Sequence, residues 1–269
     1  MIAPTALDLA LDARDRGIVD MVRDAIRHRQ VLLAYQPVVR ARDPATIAFH
    51  EALIRVLDET GRIVPARDFM PALEDTEYGR LLDCIALDHG LRELAREPGL
   101  RLSVNMSARS IGYRAWSRTL TRGIDRDPTV AERLILEITE SSAMLVPELV
   151  VDFMASLQRR GITFALDDFG AGYTALRHFK QFSFDILKID GQFVTGIAQD
   201  ADNQVLTGAM LAIADQFDMF TVAESVERAE DAAYLAALGV DCLQGYHFGA
   251  PTVTPAWRRP QARPAQARA

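Results

Sequence analysis

The sequence predicts an α/β fold: a modified (β/α)₈ TIM-like barrel in which one strand near the start runs antiparallel. Three observations carry this expectation. Short apolar, strand-like runs alternate with amphipathic helical stretches through the middle of the chain. The length of 269 residues suits one barrel domain. Acids and amides gather at or near the ends of the apolar runs, where a parallel barrel builds its functional rim.

Residues 1–30 read as a helical lead-in, with Ile18, Val19, Met21, Val22, Ala25 and Ile26 recurring at helical spacing among charges. Strands are expected near 31–36, 47–55, 101–106, 134–139, 162–167, 184–189, 219–224 and 240–245. Helices are expected over 76–95, 146–159, 199–217 and 227–238, and Pro147 suits a first helical turn. The first two strands are separated by about ten residues with no helical pattern, too few for a parallel crossover, which places the antiparallel strand there. The barrel is therefore expected over 31–251, and residues 252–269 as an unstructured extension. That extension carries Pro255, Pro260 and Pro264 with Arg258, Arg259, Arg263 and Arg268, and no acid.

Composition narrows the function. A net charge of −7 argues against a general nucleic-acid binder, so no DNA partner is expected. No apolar run approaches the roughly 20 residues that span a bilayer, and no signal peptide is evident at the start. The expectation is a cytoplasmic protein without a membrane partner. Cys84 and Cys242 are far apart, lack zinc-ligand spacing and read as reduced thiols.

The chemistry centres on Asp167 and Asp168, adjacent carboxylates that end an apolar run. Such a pair is tolerated in solvent or where a cation lies between the two. Glu51, Asn105, Glu137 and Glu224 stand in comparable positions, and Lys188 and Gln244 add a cation and an amide. Each could be a solvated charge, and Lys188 could be a structural partner of Asp190 or of a rim acid. A parallel barrel covers both faces of its strands, which weakens the solvated reading. The set is rich in oxygen, without clustered cysteine or paired histidine, and so favours Mg²⁺ or Mn²⁺ over zinc. Adjacent carboxylates can bridge two such ions about 4 Å apart, the arrangement used to displace phosphoryl groups with water. Gly170 and Gly172 read as a hinge beside these carboxylates. The string Asp168-Phe169-Gly170 is not a kinase signature here, because the glycine-rich nucleotide loop and the His-Arg-Asp loop are absent from the sequence.

These residues fall into ordered blocks: Glu51-Ala52-Leu53 with Arg55, preceded by Tyr35-Gln36-Pro37; then Asn105-Met106-Ser107, Glu137-Ile138-Thr139-Glu140, Asp167-Asp168-Phe169-Gly170, Lys188-Ile189-Asp190, Ala223-Glu224-Ser225-Val226-Glu227 and Gln244-Gly245-Tyr246. In this order the chain resembles the EAL-domain family of cyclic di-GMP phosphodiesterases from about Leu32 to Pro251. The resemblance implies a modified barrel that hydrolyses cyclic di-GMP to linear pGpG with two Mg²⁺ or Mn²⁺ ions, Ca²⁺ being inhibitory. It implies that Glu51, Asn105, Glu137, Asp167, Asp168 and Glu224 supply or support the metals. Lys188 and Gln244 would position water and substrate, Arg55 would meet a phosphate, and Gln36 and Asp190 would also face the substrate. Glu140 would anchor the loop containing Gly170 and Gly172, and Glu227 would support the site from behind. A homodimer and a regulatory domain or protein partner are further expectations of the resemblance. Serine stands at 225 where glycine is usual, valine at 56 where tryptophan is common, and Ala171 and Thr174-Ala175 depart from the usual loop. Two other functions stay open on sequence alone: a receptor that binds cyclic di-GMP without turnover, and a protein-interaction module.

Overall fold

The computed structural model describes residues 6–172 and 179–258. Eight strands close the barrel, and a ninth hangs from its edge. They are β1 (Val31–Arg40), β2 (Asp43–Leu57), β3 (Ile63–Pro65), β4 (Leu102–Asn105), β5 (Leu134–Thr139), β6 (Thr163–Phe169), β7 (Ile186–Ile189), β8 (Phe220–Ala223) and β9 (Cys242–Gln244). The order around the ring is β1-β9-β8-β7-β6-β5-β4-β2, closed by β1 pairing with β2. The strand β1 is the antiparallel member, running against both neighbours, whereas β2 pairs with β4 in parallel.

The hairpin explains a difference from the sequence expectation. The two first strands are longer than their apolar runs, and only Ala41 and Arg42 separate them. The added stretch 43–46 is largely exposed and lacks large apolar side chains, so hydrophobicity does not mark it as strand. The short β3 also carries too little pattern to be read in advance.

The helices are α1 (Ala6–Arg27), α2 (Glu77–Arg96), α3 (Arg114–Arg126), α4 (Glu140–Ala143), α5 (Pro147–Gln158), α6 (Gly191–Val194), α7 (Ala201–Gln216) and α8 (Ala229–Leu238). Pro147 opens α5 as its missing N–H allows, and Thr76 caps α2 by accepting from the Tyr78 N–H. The helix α3 is not among those expected from sequence. Only Trp116, Leu120 and Ile124 are buried there, a stripe one residue wide in a helix otherwise polar.

Alternation along each strand sorts residues into two cores. Leu102, Val104, Leu134, Leu136, Phe164, Leu166, Leu187 and Ile189 face outward into the helices and belong to the main core. Val38, Phe49, Ile135, Ala165, Ile186 and Val222 face inward and fill the barrel interior, with Cys242 packed against them. A satellite core seats α1: Val22 and Ala25 pack with Val31, Val56, Val64, Phe69, Leu73 and Leu82.

Residues 252–258, which composition assigns to an unstructured extension, instead lie against the barrel. Thr252 exchanges backbone hydrogen bonds with Tyr35. Trp257 meets the rings of Tyr35 and His50 edge-on, with centroids 5.2 and 4.6 Å away. Arg258 donates to the buried Glu93 carboxylate at 2.9 Å and to the Tyr35 hydroxyl at 2.9 Å. Composition sees proline and arginine but not the buried acid that receives them. Residues 259–269, also assigned to that extension, and Thr174-Ala175 lie outside the described residues. Among the described residues, no helix is long and apolar enough to cross a membrane.

Candidate active site

The site is built two residues beyond the interior apolar layer. Side chains at i and i+2 of a strand share a face. Phe49 leads to Glu51, Ile135 to Glu137, Ala165 to Asp167, Ile186 to Lys188, Val222 to Glu224 and Cys242 to Gln244. On the antiparallel β1 the direction reverses, so Gln36 precedes Val38. The interior thus changes from apolar to ionisable along the barrel axis. The change falls at the C-terminal ends of the parallel strands, beneath a cavity of about 710 Å³.

Lys188 stands at the centre, fully buried. Its Nζ lies 2.6 Å from Glu224 Oε1, 2.8 Å from Glu137 Oε2, 2.9 Å from Asp167 Oδ1 and 3.6 Å from Glu51 Oε2. Glu51 is held from two sides: Asn105 Nδ2 donates to Oε1 at 2.8 Å and Gln244 Nε2 to Oε2 at 2.6 Å. Gln244 also donates to Gln36 Oε1 at 3.2 Å, and Gln36 donates to the Gly249 carbonyl at 3.0 Å.

One ammonium does not balance four carboxylates, and the ionisation follows from that mismatch. Burial alone would lower the Lys188 pKa. The charges of Asp167, Glu137, Glu224 and Glu51 outweigh it and hold the amine well above its usual value. Burial, with the charge of Glu51, pushes Glu137 upward, and burial does the same to Glu224 against the pull of Lys188. Glu51 goes the other way: Lys188, Gln244 and Asn105 overcome its burial and keep it ionised. Asp168 is raised to about 6 by burial and by Asp167.

Asp168 reaches the site through an irregular backbone. Strict alternation would send it away from Asp167, into the helical layer. Instead Asp168 adopts φ +55° and the β6–β7 register slips between Leu166 and Phe169. Both carboxylates thereby face the cavity, and Phe169 returns to the core. Aspartate tolerates this left-handed conformation better than most side chains. Ser225 repeats the device, with φ +55° immediately after Glu224. Its conformation explains why glycine suits that position.

The other candidates divide. Arg55 and Glu227 line the cavity, with Arg55 Nη1 donating to the Ile54 carbonyl. Glu140, 2% exposed, accepts from the Gly170 N–H at 2.9 Å, so it reaches the loop after Asp168. Gly170 has φ +96°, and a Cβ there would lie 2.5 Å from the Phe193 ring. Gly172 lies against Glu140, 3.3 Å from Oε1 to an added Cβ. Asp190 is different: its Oδ1 accepts from the Gln192 N–H at 2.8 Å and caps α6, and it does not line the cavity. Asp83, Arg67, Glu74 and Ser142 also line the cavity and are not among the residues expected from sequence. Asp83 alone had a signal, an acid on the apolar stripe of α2.

The residues fit hard divalent cations. Oxygen atoms of Glu51, Glu137 and Asp167 lie within 4.8 Å of one another, as do those of Asp167, Asp168 and Glu224. Asp167 belongs to both groups. Glu137 Oε1 and Gln244 Oε1 are buried with no hydrogen-bond partner among the described residues, and Asp167 Oδ1 meets Lys188 only as an ion pair. Buried oxygens left open in this way are what an oxygen-seeking cation requires.

Fold and site together define a TIM-like barrel with an acidic, cation-ready rim at the C-terminal ends of its strands. The EAL domain family matches residues 19–251, and the chain belongs to that family. Cyclic di-GMP phosphodiesterase PdeF of Escherichia coli (strain K12) is 27% identical over 251 residues, covering 91% of this chain and 33% of that protein. The bifunctional diguanylate cyclase/cyclic di-GMP phosphodiesterase MucR of Pseudomonas aeruginosa is 29% identical over 235 residues, covering 86% and 34%. The chain therefore spans about a third of the length of these relatives. A structure of the PaMucR phosphodiesterase in complex with c-di-GMP superposes with a TM-score of 0.80 at 29% identity, covering 90% of this chain and 99% of that one. The FimX EAL domain of Pseudomonas aeruginosa, at 22% identity, shares the fold with a TM-score of 0.79, covering 88% and 96%.

Proposed function

We propose that this chain is a metal-dependent phosphodiesterase that hydrolyses one phosphodiester bond of cyclic di-GMP and releases linear pGpG. The observation that carries the reading is the ring of Glu51, Glu137, Asp167 and Glu224 around Lys188, beneath a cavity that could admit a dinucleotide. By itself that ring would repel a phosphodiester. Bound cations reverse the local field. The names of PdeF and MucR and the c-di-GMP complex of PaMucR support this substrate.

Glu51, Asn105, Glu137, Asp167, Asp168 and Glu224 would hold two Mg²⁺ or Mn²⁺ ions. Such ions supply a water acidified to near-neutral pKa and neutralise charge developing on the phosphate. Lys188, whose Nζ meets Glu224, Glu137 and Asp167 within 2.9 Å, would turn an N–H donor to the attacking water or a phosphate oxygen once cations engage those carboxylates. Asn105 and Gln244 hold Glu51 ionised and in place. Arg55, on the cavity wall, meets a phosphate, and Gln36 steadies Gln244. The water loses a proton as its oxygen bonds to phosphorus, the bond from phosphorus to the 3′ oxygen breaks, and that oxygen takes a proton from solvent. Asp190 is left out of this assignment because its carboxylate caps α6.

Incubation with cyclic di-GMP and Mg²⁺ or Mn²⁺, followed by chromatography, tests the reading. The expected product is pGpG, lost with a chelator and suppressed by Ca²⁺, whose larger and looser coordination misplaces the water. Tight binding with no product at high enzyme concentration would establish a receptor instead.

A further inference from the structure

Asp83 is a buried carboxylate, 8% exposed, on the face of α2 that also carries Leu82 and Ala86. Its hydrogen bonds go to another element. Asp83 Oδ2 accepts from the Ser107 N–H at 3.0 Å and from the Ser110 hydroxyl at 2.6 Å. Both donors belong to the loop leaving β4, whose last residue is Asn105. A second clamp holds the same loop: the Ala108 N–H donates to Ser142 Oγ at 2.8 Å. Ser142 lies on α4, whose first residue, Glu140, receives the Gly170 N–H. The β4 loop is thus pinned between α2 and the support of the Asp168 loop.

An apolar helix face gains nothing from an acid unless donors converge on it. Burial holds Asp83 up at about 6, even though Ser110 and Ser107 both favour the ionised form. That desolvation cost accompanies one structural result, a fixed exit path for the chain immediately after Asn105. Asn105 in turn orients Glu51 through the 2.8 Å hydrogen bond to Oε1.

We propose that Asp83 is a positioning residue for the metal site: by anchoring Ser107 and Ser110 it holds Asn105, and through Asn105 the Glu51 carboxylate, in the orientation that receives a divalent cation. The proposal rests on the phosphodiesterase reading for its role in turnover, but its first readout is independent of turnover.

The test is Mn²⁺ binding to metal-free protein, followed by electron paramagnetic resonance, for Asp83→Ala, Asp83→Asn and Ser110→Ala. kcat and KM for cyclic di-GMP are measured on the same preparations, with folding checked by circular dichroism. Asp83→Ala is expected to weaken Mn²⁺ binding by about tenfold, the low end for a partner behind a metal ligand, and to lower kcat more than it alters KM. Asp83→Asn keeps an oxygen acceptor for the loop and should restore binding to within about threefold of the parent, with Ser110→Ala weakening it by about threefold. Unchanged Mn²⁺ affinity in folded Asp83→Ala would overturn the proposal. So would equal losses in Asp83→Ala and Asp83→Asn, which would assign the effect to charge and not to anchoring. Should Asp83→Ala not fold, unchanged affinity in Ser110→Ala overturns it. Parent protein that binds Mn²⁺ but makes no pGpG would remove the phosphodiesterase reading while leaving the Asp83 measurement valid.

Discussion

The two ends of this barrel use carboxylates in opposite ways. At the N-terminal ends of the strands, Asp185 accepts from the Phe164 N–H at 2.8 Å and from Gln158 at 3.2 Å. Asp241 accepts from the Thr221 N–H at 2.9 Å and its hydroxyl at 2.8 Å. Each of these acids ties the start of its own strand to the preceding strand through donors that are already there. At the opposite end, Glu51, Glu137, Asp167 and Glu224 share one ammonium. One set is satisfied by the folded chain, the other is left in excess. Carboxylates paired with local donors stabilise the fold, whereas carboxylates in excess of local donors are suited to receive a cation.

The largest expected contrast comes from exchanging one acid at each end. Asp167→Asn or Glu51→Ala should slow pGpG formation by about a hundredfold or more, beyond the usual cost of losing a group behind a metal ligand. Asp241→Asn should leave turnover and Mn²⁺ affinity at the parent level. Steady-state rates on folded proteins decide it, and near-normal turnover in either rim variant would erase the distinction.

Lys188→Ala should also cost about a hundredfold in kcat while cyclic di-GMP and metal still bind, the pattern of an interaction made mainly in the transition state. Without Lys188 the four carboxylates face one another uncompensated, so the metal-free variant should melt lower than the parent and recover more on adding Mn²⁺. Calorimetry with and without chelator measures both. Lost substrate binding with an unchanged maximal rate would make Lys188 a ground-state anchor only.

At the other end, Asp241→Ala leaves the Thr221 amide unsatisfied and should cost about 1–3 kcal/mol of stability by chemical denaturation. No dependence on Mn²⁺ is expected for that difference. If added Mn²⁺ narrows it, the ends are coupled and the contrast is weaker than the geometry suggests.

The smallest effect is titration of single carboxyls. Asp168, raised by burial and by Asp167, should titrate near about 6 in metal-free protein. Asp58, in the turn between β2 and β3, is lowered to about 2 by Thr60 and Arg62. A group raised in the folded state binds its proton more tightly there, so its contribution to stability falls as pH rises from the unfolded value to about 6. Asp58 acts oppositely: its contribution is present above the unfolded value and is lost as pH falls through about 2. Carboxyl-carbon NMR on the metal-free protein resolves both, and equal midpoints would contradict the assigned environments.

Sequence by itself determined the α/β alternation, the barrel class and the antiparallel start, because hydrophobic period and loop length are local properties. It also picked out Glu51, Asn105, Glu137, Asp167, Lys188, Glu224 and Gln244, since polar residues at the ends of apolar runs are visible without a fold. It did not single out α3, although Trp116, Leu120 and Ile124 recur there at helical spacing, nor the docking of residues 252–258, whose partner Glu93 lies far away in sequence. Tertiary structure alone decided that one lysine serves four carboxylates, that Asp168 turns inward at φ +55°, and that Asp190 caps a helix. Asp83 joined the site by the same route, through a loop 24 residues away from it in the chain. The physical reason is closure of the sheet: it brings Gln244 within 2.6 Å of Glu51 across 193 residues. Spacing along a chain cannot state which charges will share one buried space.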